Sequence, residues 1–506
     1  MKFIYFKELQ KFNIGDFLNT YNAIDVSIDD SESTYPITQE ECEVIINKFI
    51  ADGFAKKTNS DEYSFRFVGI LSSRDICIIV YPKYFKINRA ELTNSNSLDK
   101  FLVEFQLVMQ VVERYKKSLE KALVQNDDEK KGEDRLPVLI ENLKHYHENG
   151  LYSIEKMIIE ENGEGEILWD KTINEQIAYI IDDTPYYLDY FTSRKEIEEH
   201  NIIRNIHRIV LTKISEEIQN ILPIIGLEGV HLSDEEFDDY GSNEYLDYIL
   251  EQEHSKQFVT DKIKILKLIA FYRDANKTQE ALRNEFLFYG VKSFAHVWED
   301  VCAVYFENHL GFRLEKIEGL KWEKGWKINN QSVSNKTLLK DIVEQPVWSK
   351  TLTLDEDDKD NEPEKDALKS TFILDTLHIN MSAKRFEIYD SKYYLVEAEK
   401  DDKQKTKITG QPGIGDIAKQ YFYKIMYGKL AKDNGCTFEN TLIFPKQLEL
   451  NGLQEDNVLN ENLSVSLPSV KELYIVPNPD EDDNKLEKIE TKFLDTKKAY
   501  KKYLRS

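Results

Sequence analysis

The chain has 506 residues, with 92 acidic against 67 basic side chains and a formal net charge of −25. That balance excludes a protein that coats nucleic acid unaided, because counterion-release binding needs a net basic footprint; it does not exclude a local basic groove. A hydrophobic content of 41% is enough to build cores, and the length implies two or three domains.

The N-terminus, MKFIYFKELQKFNIGDF, carries polar residues throughout, and no apolar run approaches the roughly 18 residues a membrane helix needs. A cytoplasmic protein with no membrane partner is expected. Cys42, Cys77, Cys302 and Cys436 are far apart with no CxxC pair, so reduced packing cysteines are expected rather than a zinc ribbon or disulfides.

Residues 1–95 read as a mixed α/β domain, in which FRFVGILSS (65–73) and DICIIVYPKYF (75–85) predict a hairpin turning at Ser72, Ser73 and Arg74. Residues 96–284 read as mainly helical: Phe101, Leu102, Phe105, Val108 and Val112 recur near the 3.6-residue period. Within them, IIEENGEGEILWDKTI (158–173) predicts a turn at Asn162 to Gly165 between two apolar runs. His145 and His147, in KHYHENG, have no third ligand and read as solvated histidines near a loop.

Residues 285–506 begin a third domain, with a helix from about Ser293. After an acidic loop (354–367) come strands at 370–379 and 384–398 and a Pro412-Gly413 turn. A helix over 416–431 with Asp416 as its cap follows, then strands at 441–446 and 472–477 and a basic terminal helix. The order α, β, β, α, β predicts a small mixed sheet flanked by helices, in an α+β multidomain chain.

The stretch FEIYDSKYY (386–394) reads as a strand whose apolar face, Phe386 and Ile388, continues into Asp390, Lys392 and Tyr394. Charges on a buried face need a partner or a metal. If the hairpin turns over Asn380 to Lys384, Asp390 falls opposite Leu374 and beside Asp375. Two carboxylates and an ammonium suit a magnesium-dependent phosphodiesterase: Mg²⁺ needs few protein oxygens, and the amine orients water and offsets phosphate charge. Gln420, Tyr423 and Tyr427 form a polar stripe on the next helix, placed to touch DNA backbone or bases.

Asp375, then Asp390-x-Lys392, with Glu299 on a preceding helix and Gln420 on a following one, resembles the PD-(D/E)xK nuclease core. YDSKYY followed by PGIGDIAKQYFY (412–423) is similar to the LlaJI family of restriction endonucleases, relatives of the McrC subunit. VGILSS…IIVYPKYF (68–85), NGEGEILWDKTI (162–173) and HVWEDVC (296–302) resemble blocks found in the same order in that family.

The resemblance implies a Mg²⁺-dependent endonuclease acting on double-stranded DNA in a restriction system. Asp375 and Asp390 would ligate the metal, with the Ser391 carbonyl as a further ligand; Lys392 would position the water, Glu299 would assist the metal, and Gln420 would order the site or DNA. One departure is that Leu374, where the family has proline, precedes Asp375. The resemblance also implies a McrB-like AAA+ GTPase on a separate chain and a DNA methyltransferase in the same system, with the N-terminal domain docking on the GTPase. The absence of a GxxxxGK[ST] phosphate loop fits a motor on another chain. Two other readings are a silent assembly subunit on a nuclease-like fold and a nuclease that works alone; the intact Asp390-x-Lys392 speaks against the first, and the acidic charge against the second.

Overall fold

The computed structural model describes residues 2–23, 38–58, 61–72, 76–87, 91–92, 94–123, 135–198, 201–277, 287–323, 325–328, 331–343, 347–349, 365–367, 374–400, 406–446, 448–449, 464–465 and 489–506. The expected turn residues Ser73 and Arg74, most of the acidic loop and the strand at 472–477 lie outside them. By its contacts the chain forms two units, one of residues 1–2, 70–77 and 129–289, the other of 3–69, 78–128 and 290–506. This division cuts differently from 1–95, 96–284 and 285–506, since N-terminal segments share a unit with the C-terminal third.

The first unit holds helices Arg135–Asn149, Ile202–Glu217, Asn243–Lys256 and Thr260–Lys277, packed on one another. It is not helical throughout: Glu155–Glu161, Phe191–Ile197 and Glu166–Ile167 make a sheet with Phe191–Ile197 in the middle. The turn expected at Asn162 to Gly165 is present, but the runs on either side of it both pair with a third strand. Asp182 and Asp183 both take positive φ, 48° and 59°, and close a two-residue hairpin between Ala178–Ile181 and Thr184–Tyr187. These strands bury almost nothing, so they lack the one-sided alternation that betrays a half-buried strand.

His145 lies in a helix and is buried, not solvated as expected from its sequence; His147 is exposed, with Nε2 2.9 Å from the Glu228 carbonyl oxygen. His207 accepts a hydrogen bond at Nδ1 from the Tyr152 N–H, 3.1 Å, which requires that nitrogen unprotonated. Burial, then His145 and Arg204, push its pKa down to about 3. A depressed histidine stabilises the fold above its unfolded pKa of about 6.5, and that stability drains away as pH falls toward 3. Urea unfolding at pH 7 and pH 5 is expected to show about 2 kcal/mol lost through this group, and a shallower loss in His207→Gln. Equal losses in both proteins would contradict the buried neutral imidazole.

In the second unit, helix α1 (Phe294–Tyr305) precedes strands β1 (Thr376–Asn380) and β2 (Arg385–Ser391). Helix α2 (Ile414–Asp433), β3 (Thr437–Pro445), β4 (Ser464–Val465), β5 (Ile489–Leu494) and α3 (Thr496–Arg505) follow. The strands lie in the order β1-β2-β3-β5-β4, with β1–β2 and β4–β5 antiparallel and β2–β3–β5 parallel. The expected α, β, β, α, β order is present in this mixed α/β unit. Parallel neighbours β2 and β3 need a crossover, and α2 supplies it.

Register between β1 and β2 differs from the expected one by a residue. Leu377 pairs with Ile388 and Asn380 with Arg385, leaving four residues, Met381 to Lys384, in the turn. Lys384 takes φ 55°, and Asn380 Oδ1 accepts the Ala383 N–H at 2.9 Å, a local geometry that residue types alone do not reveal. Leu377, Ile379, Phe386 and Ile388 then share a face with Tyr423 and Tyr427 of α2 in one core cluster. The opposite face carries Tyr389, stacked on Phe306 at the end of α1 at a ring distance of 4.0 Å.

Candidate active site

Extending the β1–β2 register one step beyond Thr376 and Tyr389 sets Asp375 across from Asp390, on the face that α2 covers. The shift by one residue therefore brings the two carboxylates closer to direct opposition than the sequence reading did. The Ser391 N–H donates to Asp375 Oδ2 at 2.9 Å. Burial, reinforced by Asp390 and more weakly by Glu299, raises the Asp375 pKa to about 7 against the pull of the Ser391 N–H and Lys392.

Asp390 is 2% exposed, and its Oδ2 lies 2.8 Å from the Lys392 ammonium. This ion pair holds the ammonium against the buried carboxylate. Lys392 stands just past the end of β2, where its N–H donates to the Ile443 carbonyl of β3 at 2.8 Å. That bond continues the pairing with β3, and the Lys392 ammonium lies on the Asp390 face, as the strand alternation predicts. Burial by itself lowers the Lys392 pKa, but Asp390 and Asp416 outweigh it and hold the ammonium protonated, above its ordinary range.

Asp416 is the site residue the sequence reading misplaced. It was expected to cap α2; in the structure Gly413 is the N-cap, the helix has no side-chain cap, and Asp416 sits in the first turn. Its Oδ1 lies 3.2 Å from Lys392 Nζ, and its Oδ2 accepts the Tyr394 hydroxyl at 3.3 Å. The available signal was Gly413 after Pro412: a glycine N-cap frees the next acid for other work. Just upstream, Gly410 takes φ +70°, and a Cβ there would come within 1.9 Å of the Leu395 carbonyl oxygen, so the chain entering α2 requires glycine.

Gln420 is wholly buried in α2, with neither side-chain polar atom hydrogen-bonded among the described residues. Tyr423 and Tyr427 are 5% and 3% exposed, so the expected DNA-facing stripe is turned inward. Tyr423 faces the site: burial first, then Asp390 and Asp375, push its phenol pKa up. Glu299, on α1, is close enough to influence Asp375, but its carboxylate is occupied by His296 Nδ1 at 3.1 Å. No group of three His, Cys, Asp or Glu side chains placed to hold a metal occurs among the described residues. The structure thus gathers Asp375, Asp390, Lys392 and Asp416 closely and sets Glu299 near them, while Gln420 is buried one turn along α2 from Asp416.

The donor set fits a hard divalent cation. Asp390 and Asp416 flank one ammonium with Asp375 close by, an excess of negative charge in a half-desolvated place that a cation would offset. Mg²⁺ asks for one or two such carboxylates and keeps waters for its other positions.

Among curated proteins, the chain is similar to the type II restriction enzyme BsuMI component YdjA of Bacillus subtilis (strain 168). The two are 25% identical over 402 residues, 79% of this chain and 76% of the relative. Solved structures with some likeness are a half-complex of Thermococcus gammatolerans McrB AAA+ hexamers with bound McrC and a McrBC complex from the same organism. The first is 12% identical at a TM-score of 0.35, covering 100% of this chain and 99% of that chain. The second is 13% identical at 0.19, covering 56% of this chain and 85% of that chain. At such scores no shared fold is established. The sequence model of the LlaJI restriction endonucleases matches residues 67–360 and 337–462, most of the chain, and the chain therefore belongs to the LlaJI restriction endonuclease family.

Proposed function

We propose that this chain is the nuclease subunit of a restriction system and hydrolyses DNA phosphodiester bonds with Mg²⁺, in a PD-(D/E)xK-type core. The observation that carries the reading is the convergence of Asp375, Asp390 and Lys392 at the end of the β1–β2 hairpin. Asp375 and Asp390, with the Ser391 carbonyl, would hold the ion. When bound, Mg²⁺ supplies Lewis-acid stabilisation of phosphate charge and a more acidic water. Lys392 orients the attacking water and balances the anionic phosphate, Glu299 steadies waters at the edge of the site, Gln420 orders the site from α2, and Tyr423 lies near the carboxylates.

We further infer a McrB-like AAA+ GTPase on a separate chain as partner, with a DNA methyltransferase in the same system. The family resemblance supports this, as does the name of the Bacillus relative, a component of a larger enzyme. Exposed apolar side chains in the first unit, among them Met157, Trp169, Ile177, Ile180 and Leu188, supply surface for a protein partner. Among the described residues no helix is long and apolar enough to cross a membrane.

Cleavage of double-stranded DNA is expected only when the chain, the GTPase with GTP, and Mg²⁺ are all present, and chelation by EDTA is expected to stop it. Cutting that survives EDTA would overturn the metal reading. Cutting by the chain alone would replace the partnered enzyme by a solitary one.

A further inference from the structure

We propose that Asp416 is a positioning residue that retains the Lys392 ammonium when the Asp390 carboxylate is taken up by a divalent cation. The inference rests on the nuclease reading above and adds a residue to it. In the structure Lys392 Nζ stands between two carboxylates, 2.8 Å from Asp390 Oδ2 and 3.2 Å from Asp416 Oδ1. That same Asp390 oxygen, on a residue only 2% exposed, is the one a metal would take up under the nuclease reading. One oxygen facing an ammonium and a divalent ion sets two cations against each other, so the ammonium must withdraw from it. The Lys392 side chain is only 14% exposed, and leaving its charge buried and unpaired would be costly. Asp416 gives it a second seat without leaving the site.

The placement of Asp416 suits that task better than the ordinary one for an acid in a first helical turn. Interaction with the helix dipole asks only for proximity to free N–H groups and contributes about 0.3–1 kcal/mol. Here no side chain caps the helix, and both Asp416 oxygens are engaged elsewhere, Oδ1 by Lys392 and Oδ2 by the Tyr394 hydroxyl. Tyr394 follows Lys392 by two residues and α2 starts directly after Pro412-Gly413, so the carboxylate is braced from two elements.

Calorimetric titration of Mg²⁺ into the full chain, without DNA, tests this apart from catalysis. Asp416→Asn is expected to weaken Mg²⁺ binding about ten- to a hundredfold, as loss of an outer-shell partner does, and Asp416→Glu to restore most of it. In a Lys392→Ala background, adding Asp416→Asn is expected to change nothing, because no ammonium remains to be seated. Unchanged affinity in the single variant would overturn the proposal. A further loss in the double variant would also overturn it, marking Asp416 as a direct ligand. Melting curves accompany each protein, and Asp416→Ser, another good first-turn residue, takes the place of Asn if that variant fails to fold. If the wild-type chain binds no Mg²⁺, or Asp390→Ala binds it fully, the nuclease reading itself has failed.

Discussion

Lys392→Ala and Asp390→Asn, each assayed with the partner GTPase and Mg²⁺, are expected to lose DNA cleavage by at least about a hundred- to thousandfold. The first removes the ammonium that the proposed mechanism uses to balance phosphate charge; the second keeps the shape of the side chain and removes the charge that the proposed metal would use. Both sit in a buried pair, 2.8 Å apart, so breaking it also costs stability. Melting curves must therefore show each variant folded at the assay temperature before its rate is read. Asp390→Asn separates the two effects best, since its neutral amide leaves no buried carboxylate without a counter-ion, whereas Lys392→Ala does. Wild-type cutting by either variant would remove these residues from the chemistry and leave the assembly-subunit reading standing.

Trp298→Ala is expected to cost about 3–5 kcal/mol in urea unfolding, a large share of the 5–15 kcal/mol typical of a folded domain. Trp298 is fully buried on α1, and its indole N–H points to the Ile443 carbonyl of β3 at 3.5 Å. That same strand residue accepts the Lys392 N–H. The side chain therefore wedges α1 against the strand that supports the site, and its loss opens a cavity that neighbouring Val297 and Val301 are too rigid to fill. Trp298→Phe is expected to lose roughly half as much, having kept most of the buried area. A cost below about 1 kcal/mol would mean that α1 does not pack on the sheet as described.

Asp390 and Lys392 were legible because two charges interrupted a strongly apolar strand, and the cost of burying them left few readings. The partner carboxylate was found, but its register came out one residue wrong: Lys384 adopts a left-handed conformation that its residue type does not announce. Asp416 is read as a cap from its place near a helix start, whereas Gly413, signalled only by the preceding Pro412, is the residue that caps the helix. Tyrosines serve packing and polar contact equally well, which is why Tyr423 and Tyr427 were assigned to a surface they do not face. The strands between 155 and 197 escaped for the opposite reason: exposed on both sides, they have no hydrophobic rhythm to read.

Tyr393, the residue after Lys392, has its hydroxyl bonded to Glu8 at 2.6 Å, its ring under the Lys83 ammonium at 4.3 Å, and Tyr84 and Phe294 against its edges. Glu8, Lys83 and Tyr84 come from the first hundred residues of the chain. The C-terminal third is thus not a cassette that recombination can hand between genes. A graft of residues 285–506 onto a foreign N-terminus would arrive with Tyr393 facing water in place of three of its neighbours, so exchange among relatives must carry both ends of the gene together or remake the junction by compensating mutations.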